Sequence, residues 1–137
     1  MKKVFLGGTC NGSTWRDKLI KNLDPLYVTY YNPVVDDWTP ECQKEEIRQR
    51  KICDYCLYVI TPKMTGAYSI AEAVDDSNKR PDKTIFCLLE EDDGKKIVKG
   101  QIKSLRAVAK LIGDNGGVVF NDLYAIPDWL CVQAKYF

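Results

Sequence analysis

The chain contains no histidine. That absence removes Ser-His and Cys-His nucleophile systems, histidine general bases and histidine-ligated metals together. Any chemistry must therefore run on carboxylates, hydroxyls, lysines, thiols or the backbone. Net charge is nearly absent as well, since 20 Lys and Arg against 19 Asp and Glu leave +1 at pH 7. A nucleic-acid polymer needs a concentrated basic face, so this balance argues against such a partner. The basic run Lys44–Lys51 does not alter that, because Glu45 and Glu46 interrupt it and it reads as a solvated helix face. Long hydrophobic runs are missing too. Nothing approaches the roughly 20 apolar residues that cross a bilayer, which argues against a membrane partner. The apolar run after Met1-Lys2-Lys3 stops at Gly7, too short for a secretory leader. The expectation is a cytoplasmic protein whose six cysteines are reduced.

What is present is an ordinary globular composition, 45% hydrophobic and 28% charged over 137 residues. No linker or repeat divides it, so a single domain over 1–137 is expected. Short apolar β-type runs alternate with helix-length amphipathic stretches, which predicts parallel strands joined by crossover helices. The strands fall at Val4–Gly8, Leu26–Tyr31, Tyr55–Thr61, Lys83–Leu89 and Val118–Phe120. Helices are expected over Ser13–Leu23 with Ser13 as cap, from Thr39-Pro40 to about Cys53, over Ser69–Asn78, Gly100–Leu111 and Ile126–Phe137. Glu90–Lys96 reads as a charged turn. The result is an α/β three-layer sandwich with a mainly parallel sheet of about five strands. Ligands in such sheets sit outside the carboxyl ends of the strands, which directs attention to four loops.

The first loop, Gly7-Gly8-Thr9-Cys10-Asn11-Gly12-Ser13, lets a ligand approach backbone and helix N–H groups. Its spacing approaches a P-loop but has Ser13 where the phosphate-binding lysine belongs, and it lacks the dinucleotide glycine fingerprint. A tight βα turn that needs glycine only for geometry explains it almost as well. The second loop gathers Asn32, Asp36, Asp37 and Trp38, a set suited to a sugar hydroxyl or a heterocycle; the aspartates also fit a plain turn. Cys42, Glu46, Gln49 and Cys53 share one face of the following helix, while Glu46 and Arg50 match a surface i,i+4 pair. Cys53 and Cys56 have CxxC spacing but straddle a helix end and a strand start, so they read as core residues. Ser69-Ile70-Ala71-Glu72 matches a capping box, with Glu72 closing back on the backbone. The same position suits a carboxylate nucleophile held ionised by the helix dipole. Spacing alone leaves both readings open.

Together these residues resemble the nucleoside 2-deoxyribosyltransferase-like family. The matching elements are Phe5-Leu6-Gly7-Gly8-Thr9, Asn32-Pro33 with Asp37-Trp38, Glu46 eight residues before Asp54, and Tyr68-Ser69-Ile70-Ala71-Glu72. The resemblance implies a Rossmann/flavodoxin-like domain that cleaves or exchanges an N-glycosidic bond without metal or organic cofactor. It implies Glu72 as the nucleophile at the anomeric carbon and Glu46 as the second catalytic carboxylate. Gly7, Gly8 and Thr9 would line the sugar side and Asp37 and Trp38 the base side, with Asn32 and Ser69 also binding substrate. The transferases carry a tyrosine in the first strand, where this chain has Phe5. The implied partners are a small-molecule nucleoside or nucleotide and further copies of the chain, a homo-oligomer whose subunits complete each other's sites. Trp129, Tyr136 and Phe137 suit such an interface and suit core docking equally. Two other readings stay open, a non-catalytic binder of a nucleotide or ADP-ribose derivative and a purely structural domain.

Overall fold

The computed structural model describes residues 1–10 and 12–137, so Asn11 of the first loop lies outside the described residues. In chain order the elements are β1 (Lys2–Gly8), α1 (Trp15–Ile20), β2 (Val28–Tyr31), α2 (Pro40–Ile52), β3 (Tyr55–Ile60) and α3 (Tyr68–Lys79). They continue with β4 (Thr84–Leu88), β5 (Glu91–Asp92), β6 (Lys95–Lys96), α4 (Lys99–Asp114), β7 (Val118–Phe120) and α5 (Ile126–Tyr136). The main sheet has the order β2-β1-β3-β4-β7 and is parallel at every pairing. This is the expected α/β sandwich, consistent with a Rossmann/flavodoxin-like fold.

Strand periodicity explains the layers. Val4, Leu6, Leu57 and Val59 face one side, where Trp15 and Leu19 of α1 and Ile126 and Leu130 of α5 cover them. Phe5, Cys56, Tyr58 and Ile60 face the other, against Ala73 of α3 and Leu105 and Ile112 of α4. Every residue of β3 and β4 is buried, as strands covered on both faces require. Burying each large aliphatic or aromatic side chain contributes roughly 1.5–3 kcal/mol. Cys53 and Cys56 are core residues, as their spacing suggested. Trp129 of α5 docks edge-on to Tyr55 and Phe120, whereas Tyr136 and Phe137 stay exposed. No described helix is long and apolar enough to cross a membrane.

Several boundaries differ from expectation for local reasons. The first helix starts at Trp15 rather than Ser13: Thr14 takes the cap position, while the Ser13 hydroxyl donates to Asp92 Oδ2 at 2.6 Å and accepts the Trp15 N–H at 3.4 Å. The second strand starts at Val28 rather than Leu26. Asp24 holds Leu26–Val28 in a turn, its side chain accepting the Leu26 N–H and its carbonyl those of Tyr27 and Val28. The stretch expected as a charged turn forms the antiparallel hairpin β5–β6. Asp93 and Gly94 both take positive φ, 49° and 83°, as a two-residue hairpin turn demands. The cap on α2 is as expected, with Thr39 Oγ1 accepting the Cys42 N–H at 3.2 Å and Pro40 in the first turn.

Candidate active site

The chain leaves β1 for α1 on one face and β3 for α3 on the other, so the connections diverge beyond the carboxyl ends of these paired strands. Such switch points leave a crevice. Here it is a cavity of about 290 Å³. Its floor is Phe5, Gly7, Gly8 and Thr9, one wall is Glu46 of α2, and the other is the Met64–Gly66 loop with Tyr68, Ser69 and Glu72 of α3.

The floor is fixed by packing. A Cβ on Gly7 would meet the Tyr58 ring at 2.8 Å, and Gly8 combines φ of +115° with close approach to Val59. These glycines thus satisfy the turn geometry and line the cavity at once. The Thr9 N–H donates to the Val59 carbonyl at 2.9 Å, and its hydroxyl accepts the Thr61 N–H at 3.0 Å. Buried Arg16 clamps the loop from below, donating to the Leu6 carbonyl at 3.1 Å and the Thr9 carbonyl at 2.7 Å. Burial holds Arg16 below its usual value, while Cys10 and Glu46 act in the opposite sense.

The capping box does not form. Helix α3 starts at Tyr68 with Ala67 in the cap position and no side-chain cap bond. Ser69 is therefore the second helical residue and Glu72 the fifth, past the turn where the helix dipole acts strongly. Burial, rather than the helix dipole, sets the direction in which this carboxyl titrates. Burial pushes the Glu72 carboxyl above the usual carboxylate range, Arg50 pulls it back, and Glu46 and Asp76 push it up again. Its side chain is 15% exposed and opens on the cavity.

The expected Glu46–Arg50 pair is replaced as well. Arg50 turns from α2 across to α3, with Nε 3.6 Å from Glu72 Oε2 and Nη2 3.2 Å from the Glu72 carbonyl. The same guanidinium donates to Asp76 Oδ1 at 2.9 Å, Asp75 Oδ2 at 3.3 Å and the Tyr58 hydroxyl at 3.0 Å. Tyr58 and Arg80 also donate to Asp76, which is buried. Burial disfavours the Arg50 cation, but Tyr58 and Asp76 outweigh it and Arg50 titrates above its usual value. Glu46 is left half-buried and makes no ion pair among the described residues. Burial raises its carboxyl, and the more distant Arg16 opposes this.

The second loop is only partly drawn in. Asn32 Oδ1 accepts the Val34 N–H at 3.0 Å, an Asx turn, and Pro33 rather than Asn32 lines the cavity. Asp37 is exposed and lines neither this cavity nor its neighbour. Trp38, 59% exposed, lines an adjoining cavity of about 210 Å³ that shares Glu46, Tyr68 and Glu72 with the first. The structure thus brings together Gly7, Gly8, Thr9, Glu46, Ser69 and Glu72, with Trp38 next door and Asn32 and Asp37 apart. Sequence reasoning missed Arg16, Arg50, Tyr58 and Asp76. An arginine on a charged helix reads as solvated, and the available signal was Asp76 lying four residues after Glu72 on one helical face.

Comparison with known proteins follows the same residues. A search of curated proteins returned no match. The model of a family described as nucleoside 2-deoxyribosyltransferase like matches residues 1–91, about two thirds of the chain. That span contains every residue lining the main cavity. The chain belongs to the nucleoside 2-deoxyribosyltransferase-like family.

Proposed function

We propose that the protein cleaves or exchanges the N-glycosidic bond of a small deoxynucleoside or deoxynucleotide, with Glu72 as nucleophile. One observation carries the reading: two half-buried carboxylates from different helices, Glu72 and Glu46, open on one cavity above the glycine floor of β1. Of the two, only Glu72 is ion-paired with an arginine among the described residues.

The chemistry follows from that asymmetry. Glu72, ionised beside Arg50, attacks the anomeric carbon as the bond to the base breaks, and an oxocarbenium-like state passes to a glycosyl ester. The electron pair of the broken bond leaves with the base, which takes a proton from Glu46. A second base, or water, then returns its proton to Glu46 and displaces Glu72 with net retention. Gly7 and Gly8 let the sugar lie against the backbone, and Trp38 offers an aromatic face for the base at the mouth. The scheme needs neither histidine nor cofactor. The reading includes a homo-oligomer of single-domain chains in the cytoplasm, and the six free thiols accord with a reducing compartment.

Incubating the protein with a deoxynucleoside and a different free base, and following base exchange and free sugar by chromatography, tests the reading. Exchange or hydrolysis is expected, together with a sugar adduct on the Glu72 peptide by mass spectrometry. Glu72→Gln is expected to abolish both. Absence of turnover alongside tight nucleotide binding would establish the non-catalytic reading instead.

A further inference from the structure

Behind the cavity lies a polar cluster that the reaction scheme uses only at its edge. Arg50 stands at its centre, 20% exposed, with Asp76 and Tyr58 buried beneath it. Its fork spans three elements, touching Tyr58 on β3 and Glu72, Asp75 and Asp76 on α3 from its own place on α2. A buried guanidinium is costly unless every donor finds an acceptor, and Asp76 supplies the charge that retains it. A second cation, Arg80, reaches the same Asp76 oxygen, Oδ1, as Arg50 does and secures that anchor. The Glu72 carboxylate is not itself hydrogen-bonded to Asp76 or Tyr58; it meets the cluster through Arg50.

Two contacts make this more than a structural tie. Arg50 Nη2 donates to the backbone carbonyl of Glu72 at 3.2 Å, fixing the helix at the residue that carries the carboxylate. Arg50 Nε then lies 3.6 Å from Glu72 Oε2; Glu72 lines the main cavity and Arg50 does not, though both line the adjoining one. Glu46, on the same helix as Arg50 and lining the same cavity, receives no such contact.

We propose that Arg50 is the positioning residue of the site: anchored by Asp76 and Tyr58, it orients the Glu72 carboxylate and supplies the positive charge facing it. The inference rests on Glu72 being the reacting carboxylate, and it adds a reason why Glu72 rather than Glu46 takes that part. The charged and titratable groups facing Glu72 are Arg50 and Glu46 from α2, Asp75 and Asp76 from α3, and Tyr58 from β3 behind Arg50. Arg50 is the one cation among them.

The test is to follow the Glu72 and Glu46 carboxyl carbons by NMR across pH in wild type, Arg50→Gln and Arg50→Lys. In Arg50→Gln the Glu72 titration is expected to move up by about one pH unit or more, as loss of an adjacent opposite charge requires. Glu46 is expected to hold or move down, since a less ionised Glu72 repels it less. A variant that had merely loosened the fold would relieve burial and lower both, so a Glu72 titration that stays put or falls overturns the proposal. Arg50→Lys, which keeps the charge but not the fork, is expected to leave the Glu72 titration within about half a unit of wild type. On a deoxynucleoside, kcat is expected to fall at least roughly tenfold in both variants with KM within about threefold, the mark of lost transition-state geometry. A kcat unchanged in Arg50→Gln, with wild type active, likewise overturns it. The titrations need no turnover, so they decide the Arg50–Glu72 relation even if base exchange, and with it the proposed function, fails.

Discussion

A Cβ built on Gly8 would lie 2.1 Å from the Val59 carbonyl oxygen, so β1 and β3 meet at the cavity floor more closely than any side chain permits. The positive φ of Gly8, +115°, adds a second penalty for any other residue. Gly8→Ala is expected to cost about 3 kcal/mol or more, read as a lower urea midpoint. Gly66→Ala, whose added Cβ meets nothing within 4 Å, is expected to stay within about 0.5 kcal/mol of wild type.

Asp76 and Asp75 are adjacent in sequence and both touch Arg50, yet burial separates them, at 1% and 44% side-chain exposure. Asp76→Ala leaves two part-buried arginines without their shared carboxylate and is expected to cost about 2–3 kcal/mol. Asp75→Ala removes solvent-screened contacts to Arg50 and Lys79 and is expected to leave the urea midpoint close to wild type. Paired denaturation curves check both outcomes.

The sheet was legible because its strands are short apolar runs buried on both faces, and that pattern has few other uses. Gly7, Gly8, Glu46 and Glu72 were legible as strand-end and helix-face residues for the same reason. What escaped notice depended on contacts between distant elements. Ser13 was expected only to cap the helix, yet its hydroxyl also donates to Asp92, on a hairpin far along the chain. Ser69-x-x-Glu72 matched a capping box, but the helix begins one residue earlier, at Tyr68, which moves Glu72 beyond the first turn. Arg50 looked like the surface partner of Glu46, because nothing local announces that α3 will present Asp76 to it. Local rules describe a helix in water; burial chooses other partners.

Trp38 stands at the mouth of the paired cavities with most of its surface in solvent, so it contributes little to the core. Trp38→Ala is expected to leave the unfolding free energy within about 0.5 kcal/mol of wild type. Loss of an aromatic face for the base is expected to weaken nucleoside binding by roughly five- to tenfold, from about 1 kcal/mol of stacking. Calorimetric titration together with denaturation separates the two effects.

Glu72 and Glu46 also set a stability slope. Both carboxyls are raised from the ordinary value of 4.5, chiefly by burial, so the folded chain binds their protons more tightly than the unfolded chain does. Their contribution is fully present below 4.5 and is lost as pH rises through the folded values, so stability falls with pH across that window. The exposed carboxylates Glu45, Asp75, Glu90 and Asp93 titrate below their ordinary values and slope the other way at lower pH. Glu72→Gln is therefore expected to raise Tm at pH 7.5 while abolishing turnover, with the gain vanishing below 4.5. An equal gain at both pH values would mean that charge burial is not its source.

The same two carboxyls bound the pH range of the proposed reaction. Attack by Glu72 needs it ionised, so the rate rises with pH through the raised value that burial gives it. Protonation of the leaving base needs Glu46 protonated, so the rate falls as pH rises through the raised value of that group. Because each carboxyl feels the other's charge, the limbs belong to the pair rather than to either residue. Both lie above 4.5, the ordinary carboxylate value. The profile of kcat/KM for base exchange is expected to be a bell with both limbs above the ordinary carboxylate value of 4.5. Glu46→Gln is expected to remove the alkaline limb and to lower the maximum by about 100-fold, the usual contribution of a general acid. An alkaline limb that survived in Glu46→Gln would assign the proton to another group.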